Sequence, residues 1–215
     1  MVFAESTAGH AQYLAFLDKV AHSLRALDGW VEARAPGYYG VCGPCGKPTS
    51  ISVRGNAHFA DSINLRETCE CDCGLIQRGR VLLECALQEF RGRGPIGLFE
   101  HGTILHKRLA ETHEVISSAY GGGPYRSGET IRLGGQSVQH QDLTALSFAD
   151  ASFAGVMHND VLEHIADYRR ALAECHRVLR PGGSLVFTCP VFLYVASTLD
   201  ARTHDQRCGR AFVAA

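Results

Sequence analysis

Residues 160–190 carry the pattern that most restricts the fold, a one-faced helical stretch that stops at Pro181-Gly182-Gly183 and passes directly into an apolar run. Tyr168, Ala171, Leu172, Cys175, Val178 and Leu179 recur at i, i+3, i+4 and i+7, so the spacing predicts a helix with that stripe buried and Asp167 as its cap. Arg169, Arg170, Glu174 and Arg177 fall on or beside the wet side. Arg180 suits the negative end of the helix dipole, Pro181 cannot extend the ladder, and Gly182 and Gly183 permit a reversal into "SLVFTC". A helix feeding a buried strand in this way is the crossover unit of a parallel sheet.

The same alternation begins upstream. After "RGRGP" come "IGLF", "ILHKRLAE" and "EVISSAY", then a glycine-rich loop, "GGGPYRSGETIRLGG", then "SVQHQD" and "FAGVMHND". Short apolar strands alternating with helical stretches predict an α/β fold with a Rossmann-like, doubly wound parallel sheet. In such sheets the ligand crevice lies outside the carboxyl ends of the strands. Asp142 follows one expected strand and His158, Asn159 and Asp160 follow the next, so both acidic positions face one site.

The N-terminal third differs. Leu14, Leu17, Ala21, Leu24 and Leu27 mark an amphipathic helix over 11–28, expected to pack on its own protein, and a second helix is expected over 80–90. Between them the chain is rich in Gly, Pro and Cys. No secretory leader pattern and no uninterrupted apolar stretch long enough to span a bilayer is present, so the cytoplasm is the expected compartment and no membrane partner is expected. Thiols stay reduced there, and the odd total of nine cysteines favours a metal over disulfides. Cys42-Gly-Pro-Cys45 and Cys71-Asp-Cys73 are two local pairs suited to a structural Zn2+, with Cys69 competing with Cys71; unmetallated structural thiols are the alternative. Cys85, Cys175, Cys189 and Cys208 read as isolated, inert buried thiols, His140 and His164 as packing residues, and Arg78 and Arg80 as a solvated helix start, with phosphate binding as the alternative. The literal G-x-G-x-x-G from Gly92 to Gly97 precedes its strand and contains Pro95, and is discounted.

Residues 138–190 resemble the nucleotide-binding core of class I S-adenosylmethionine-dependent methyltransferases of the type 11-like group. The resemblance rests on an Asp after a strand (Asp142), the run Leu146, Phe148, Asp150, Ser152, Phe153, then Val161 to His164, and Arg177 to Gly183. It implies S-adenosylmethionine as cofactor, with Asp142 and Leu143 at the adenine and His158, Asn159 and Asp160 at the methionine moiety and substrate entrance. Leu65 to Thr68 followed by Cys71 to Leu75 is similar to a narrower group that begins with a cysteine-rich, zinc-ribbon-like module.

The chain departs from that pattern in three places. Where the family has a glycine-rich turn after the first strand, Glu100, His101, Gly102 and Thr103 stand, so Glu100, Gly102 and Thr103 must serve. The second strand ends at Ala119 instead of an acid that would bind the ribose, with Ser117 and Ser118 nearby. The family completes its sheet with two further strands, for which residues 191–215 are too few; an unfinished edge predicts self-association and marginal stability.

The expected organisation is residues 1–90 as helix plus cysteine-rich module, 91–190 as methyltransferase core and 191–215 as a short tail. The expected function is in-line methyl transfer to an unidentified acceptor, with His158 or Asp160 as base where the acceptor requires one. The alternative is a non-catalytic zinc-ribbon module on a degenerate scaffold, binding a protein or nucleic acid. The 21 basic and 22 acidic residues nearly cancel, so nucleic acid is not indicated. A dinucleotide oxidoreductase is disfavoured because no glycine fingerprint follows the first strand.

Overall fold

A computed structural model describes residues 37–53, 58–59, 62–63 and 69–190. The expected helix over 11–28 and the tail 191–215 lie outside these residues.

The cysteine-rich segment forms a three-stranded antiparallel sheet in the order β1-β2-β5, from β1 (Gly37–Cys42), β2 (Lys47–Val53) and β5 (Cys69–Glu70). A separate two-residue hairpin pairs β3 (His58–Phe59) with β4 (Ser62–Ile63). Helix α1 (Gln77–Glu89) follows, beginning three residues before the expected start at Arg80.

The second sheet has six strands in the order β11-β10-β6-β7-β9-β8. It comprises β6 (Ile96–Leu98), β7 (Val115–Ala119), β8 (Thr130–Leu133), β9 (Gln136–His140), β10 (Phe153–Asn159) and β11 (Leu179–Thr188). Helix α2 (Ile104–Ala110) connects β6 to β7, and α3 (Tyr168–Val178) connects β10 to β11. All neighbours pair in parallel except β8 with β9. The chain builds outward through β6, β7 and β9, then crosses back to place β10 beside β6. This is a doubly wound, Rossmann-like sheet whose switch point lies between β6 and β10.

Helices cover both faces. Leu82, Leu83, Ala86 and Phe90 of α1 and its end share one core with Ile96, Leu98, Leu105, Leu109 and Met157. Ala171, Cys175 and Val178 of α3 share another with Phe153, Val156, Leu143, Leu146 and Leu162. Each fully buried Leu, Ile or Phe side chain contributes roughly 1.5 to 3 kcal/mol. Asp167 caps α3, its Oδ1 accepting from the Arg170 N–H at 3.0 Å.

Four expectations are corrected. The glycine-rich loop contains a strand, β8, joined to β9 by Gly134 and Gly135 at φ +55° and +82°, a turn whose two left-handed residues match the twist of a hairpin. The reversal expected after α3 is present, with Gly182 at φ +76° in the turn Arg180 to Gly183, where the register jumps from Phe153–Leu179 to Gly155–Ser184, whereas Cys85, expected to be buried, is exposed. Arg180 does not cap the helix, which ends at Val178, and instead donates to the Ala151 and Ser152 carbonyls at 3.3 and 3.1 Å. Glu174 is not on the wet side; it is buried, as described below.

Candidate cofactor crevice and cysteine centre

The carboxyl end of β6 continues into Phe99, Glu100, His101, Gly102 and Thr103 before α2 begins. Gly102 turns the chain at φ +73° and its N–H donates to His106 Nδ1 at 3.1 Å. Thr103 is the N-cap of α2: its Oγ1 accepts from the His106 N–H at 3.1 Å, while its hydroxyl donates to Glu100. The next strand end contributes Ser117, whose hydroxyl meets His101 Nδ1 at 2.9 Å, and Ala119. Strand β7 ends at Ala119, the position where an acid was looked for.

Beyond β9, Asp142 closes a tight turn. Its Oδ1 accepts from the Thr144 N–H at 2.8 Å and from the Thr144 hydroxyl at 2.7 Å, while its own N–H donates to Ser127 at 2.9 Å. Leu143 is buried in the α3 core. Below them Glu174 accepts from the Leu146 N–H at 2.9 Å and is held by Arg177 at 2.9 and 2.8 Å. The Arg177 guanidinium beside Glu174 holds its carboxyl below the usual range against the opposing effect of burial.

Across the switch point, β10 ends in His158 and Asn159, followed by Asp160. His158 is fully buried and stacks on Phe187 of β11, ring centroids 5.0 Å apart. Burial lowers its pKa to about 4, against the weaker upward pull of Asp160, so the ring is neutral at pH 7. Neither ring nitrogen has a hydrogen-bond partner among the described residues. Asp160 adopts φ +53°, a left-handed conformation that Asp tolerates better than most residues. Its N–H donates to the Thr188 carbonyl at 3.2 Å, and the Thr188 hydroxyl lies 2.7 Å from Asn159 Oδ1 and 2.8 Å from Asp160 Oδ1. Arg78 of α1 reaches Asp160 Oδ2 at 3.4 Å.

The arginine pair is therefore not a solvated helix start. Arg78 joins α1 to the end of β10, and Arg80 is buried and donates to Gln77. Nothing in the local sequence marks either contact, since both depend on how α1 meets the sheet.

The four sulfurs of Cys42, Cys45, Cys71 and Cys73 lie within 4.8 Å of one another. Each pair sits in a tight turn: the Gly46 N–H donates to the Cys42 carbonyl at 2.8 Å and the Gly74 N–H to the Cys71 carbonyl at 2.8 Å. A tetrahedral zinc with Zn–S bonds of about 2.3 Å separates its sulfurs by about 3.8 Å, so the cluster fits that ion. Burial pushes Cys42 up strongly and Cys73 up to about 11. Burial opposes ionisation of Cys71 too, but hydrogen bonds from the Cys73 N–H and Thr49 outweigh it and lower this thiol to about 7. Crowding of this kind is relieved when a cation takes the protons' place. A cavity of about 470 Å³ adjoins the cluster, lined in part by Lys47, Thr49, Asp72, Arg108 and Glu111.

The strand order, reversing between β6 and β10, defines a Rossmann-like, doubly wound α/β fold. Comparison with known proteins narrows it. Residues 126–187 match the family described as Methyltransferase domain. A protein of Mycolicibacterium smegmatis named "Probable S-adenosylmethionine-dependent methyltransferase" is 40% identical over 53 residues, covering 25% of this chain and 21% of that one. Malonyl-[acyl-carrier protein] O-methyltransferase 1 of Coxiella burnetii is 45% identical over 47 residues, covering 22% and 17%. O-methyltransferase resE of Aspergillus sclerotiorum is 43% identical over 58 residues, covering 27% and 22%. The chain thus spans about a fifth of the length of these relatives.

Among solved structures, a Bacillus halodurans C-125 methyltransferase aligns at 19% identity and TM-score 0.36, covering 49% of this chain and 45% of its own. The Haloferax volcanii complex between the Trm112 methyltransferase activator and a methyltransferase aligns at 19% and 0.33, covering 50% and 54%. The fold assignment rests on the strand order. The likeness to methyltransferases thus lies in one segment, residues 126–187. Among the described residues no helix is long and apolar enough to cross a membrane.

Proposed function

We propose that the chain is an S-adenosylmethionine-dependent methyltransferase that holds its cofactor across the carboxyl ends of β6, β9 and β10. The observation that carries this reading is the reversal of strand order between β6 and β10, parallel neighbours whose carboxyl ends lead into Glu100 to Thr103 and into Asp160. In this reading the bound cofactor supplies an electrophilic methyl group. The β6–α2 loop receives its amino-acid end, and the turn at Asp142 and Leu143 receives the adenine. Thr144 fixes the Asp142 carboxylate, so that contact is preorganised. With Ala119 at the end of β7, the ribose lacks the acidic partner usual in the family, which weakens binding by roughly 1.5 to 3 kcal/mol.

His158 and Asp160 border the acceptor side. Burial keeps His158 neutral and makes it a poor proton acceptor, and Asp160 is engaged by Arg78. Both features suit an oxygen acceptor that is already anionic or readily ionised better than an amine that must be deprotonated. O-methyl transfer agrees with the names of relatives such as the malonyl-[acyl-carrier protein] O-methyltransferase of Pseudescherichia vulneris, of which the chain spans 32%. The acceptor itself is not assigned. The four cysteines hold one structural zinc in this reading.

The alternative of a non-catalytic scaffold carrying a metal module is favoured by one observation, the missing acid at β7. Calorimetric titration of the zinc-replete chain with S-adenosylhomocysteine, beside Asp142→Ala, separates the two. Saturable binding that the variant loses supports the methyltransferase; no binding by folded protein overturns it.

A further inference from the structure

Helix α2 touches the cysteine module at both ends. Arg108 Nη2 lies 3.8 Å from Cys45 Sγ of the first knuckle, while its Nη1 holds the Glu111 carboxylate at 3.1 and 3.2 Å. At the other end a Cβ on Gly74, in the second knuckle, would come within 2.8 Å of Ile104 Cδ1, so the first residue of α2 rests against that turn. Between these contacts Leu105 and Leu109 share a core with Leu75, and Cys73 packs against it.

The crevice loop hangs on the same helix. The Gly102 N–H donates to His106 Nδ1, the His106 N–H donates to Thr103, and the Thr103 hydroxyl donates to Glu100. A displacement of α2 therefore carries Glu100 to Thr103 with it. Four thiolates around a divalent cation leave a net charge of about −2, and outer partners of metal ligands commonly orient such centres.

We propose that Arg108 is a positioning residue whose contact with the sulfur of metal-bound Cys45 fixes α2, so that metal loading sets the geometry of the β6–α2 loop. The consequence for cofactor affinity rests on the methyltransferase reading above; the consequence for the loop does not. Metal centre and cofactor crevice then act as one unit, coupled through a single short helix.

The test loads the full chain with cobalt(II), whose thiolate absorption counts bound metal, and reads amide hydrogen exchange over 100–110 beside S-adenosylhomocysteine titration. Loaded wild type is expected to show greater protection over this segment than chelated protein and roughly tenfold tighter binding. Arg108→Met, still binding one metal per chain, loses most of both gains, and Arg108→Lys retains most of them. Identical protection in loaded wild type and Arg108→Met overturns the proposal, as does failure to bind cobalt. Equal loss in Glu111→Gln also overturns it, because the surface ion pair would then be the cause. If loaded wild type does not bind S-adenosylhomocysteine, the methyltransferase reading fails and the exchange data alone decide the coupling.

Discussion

Arg78 Nη1 lies 3.4 Å from Asp160 Oδ2, joining the first turn of α1 to the residue that follows β10. Both side chains are largely shielded, at 23% and 16% exposure, so the pair is less screened than a surface ion pair. A double-mutant cycle with Arg78→Ala and Asp160→Asn is expected to give a coupling energy of about 1 kcal/mol in urea denaturation. A coupling near zero would mean that the pair contributes nothing to the fold. Because Asp160 sits at φ +53°, Asp160→Ala should cost about 1 kcal/mol more than Asp160→Gly.

His158 gives the fold a dependence on pH. Its folded pKa, about 4, lies below the ordinary 6.5, so between these values the unfolded chain binds the extra proton. Stability is full above pH 6.5 and falls as pH drops toward 4, by about 3 kcal/mol for a shift of this size. His158→Leu should flatten that part of the stability profile. An unchanged slope between pH 6.5 and 4 in the variant would show that other groups produce it.

Glu174 acts in a lower window. Its folded pKa is depressed, first by its hydrogen bonds to Arg177, so its contribution is present above the unfolded value and lost as pH falls through the folded one. Glu174→Gln should cost about 2 kcal/mol at pH 7, because the buried Leu146 N–H and Arg177 lose a charged acceptor. The deficit relative to wild type should shrink below about pH 4.3. A deficit that is constant with pH would assign the effect to packing.

The strand alternation from Ile96 onward and the helix stripe at Ala171, Cys175 and Val178 were legible because burial on a sheet or helix imposes a period. The cysteine cluster was legible for a related reason: Cys42, Cys45, Cys71 and Cys73 are paired locally, and the pairing of β5 with β2 brings the two pairs together. Strand β8 was missed although Gly134-Gly135 between "TIRL" and "QSVQH" is a hairpin signal; the surrounding glycines hid it. Glu174 looked solvent-facing because its helix position suits water, and only the return of the Leu146 turn covers it. Arg78 and Arg108 carry no local signal, since their partners stand 82 and 63 residues away in sequence and depend on tertiary packing.

Metal removal should disturb more than the cysteine module. Leu75 is part of the core formed by α1, α2 and β6, and Cys73 packs against it, so loosening the second knuckle opens that core. Chelation is expected to lower the midpoint of thermal unfolding and release one metal per chain. Cys42→Ser, at the most buried of the four sulfurs, should weaken metal binding by at least tenfold. An unchanged melting midpoint after complete removal would separate the module energetically from the core.

Gly155 lies where α1 meets β10. A Cβ there would come within 2.4, 2.6 and 2.7 Å of the Phe90 ring, and Phe90 is itself fully buried, so neither group can yield without moving helix or strand. Gly155→Ala should therefore cost about 1 to 3 kcal/mol by overpacking. Gly123→Ala, where nothing lies within 4 Å of the added carbon, should change stability by less than about 0.5 kcal/mol. Phe90→Leu creates a space in the same place, so the double variant with Gly155→Ala should be more stable than the sum of the two single effects requires. Strict additivity would place the cost of Gly155→Ala in the backbone of β10 instead of in its contact with Phe90.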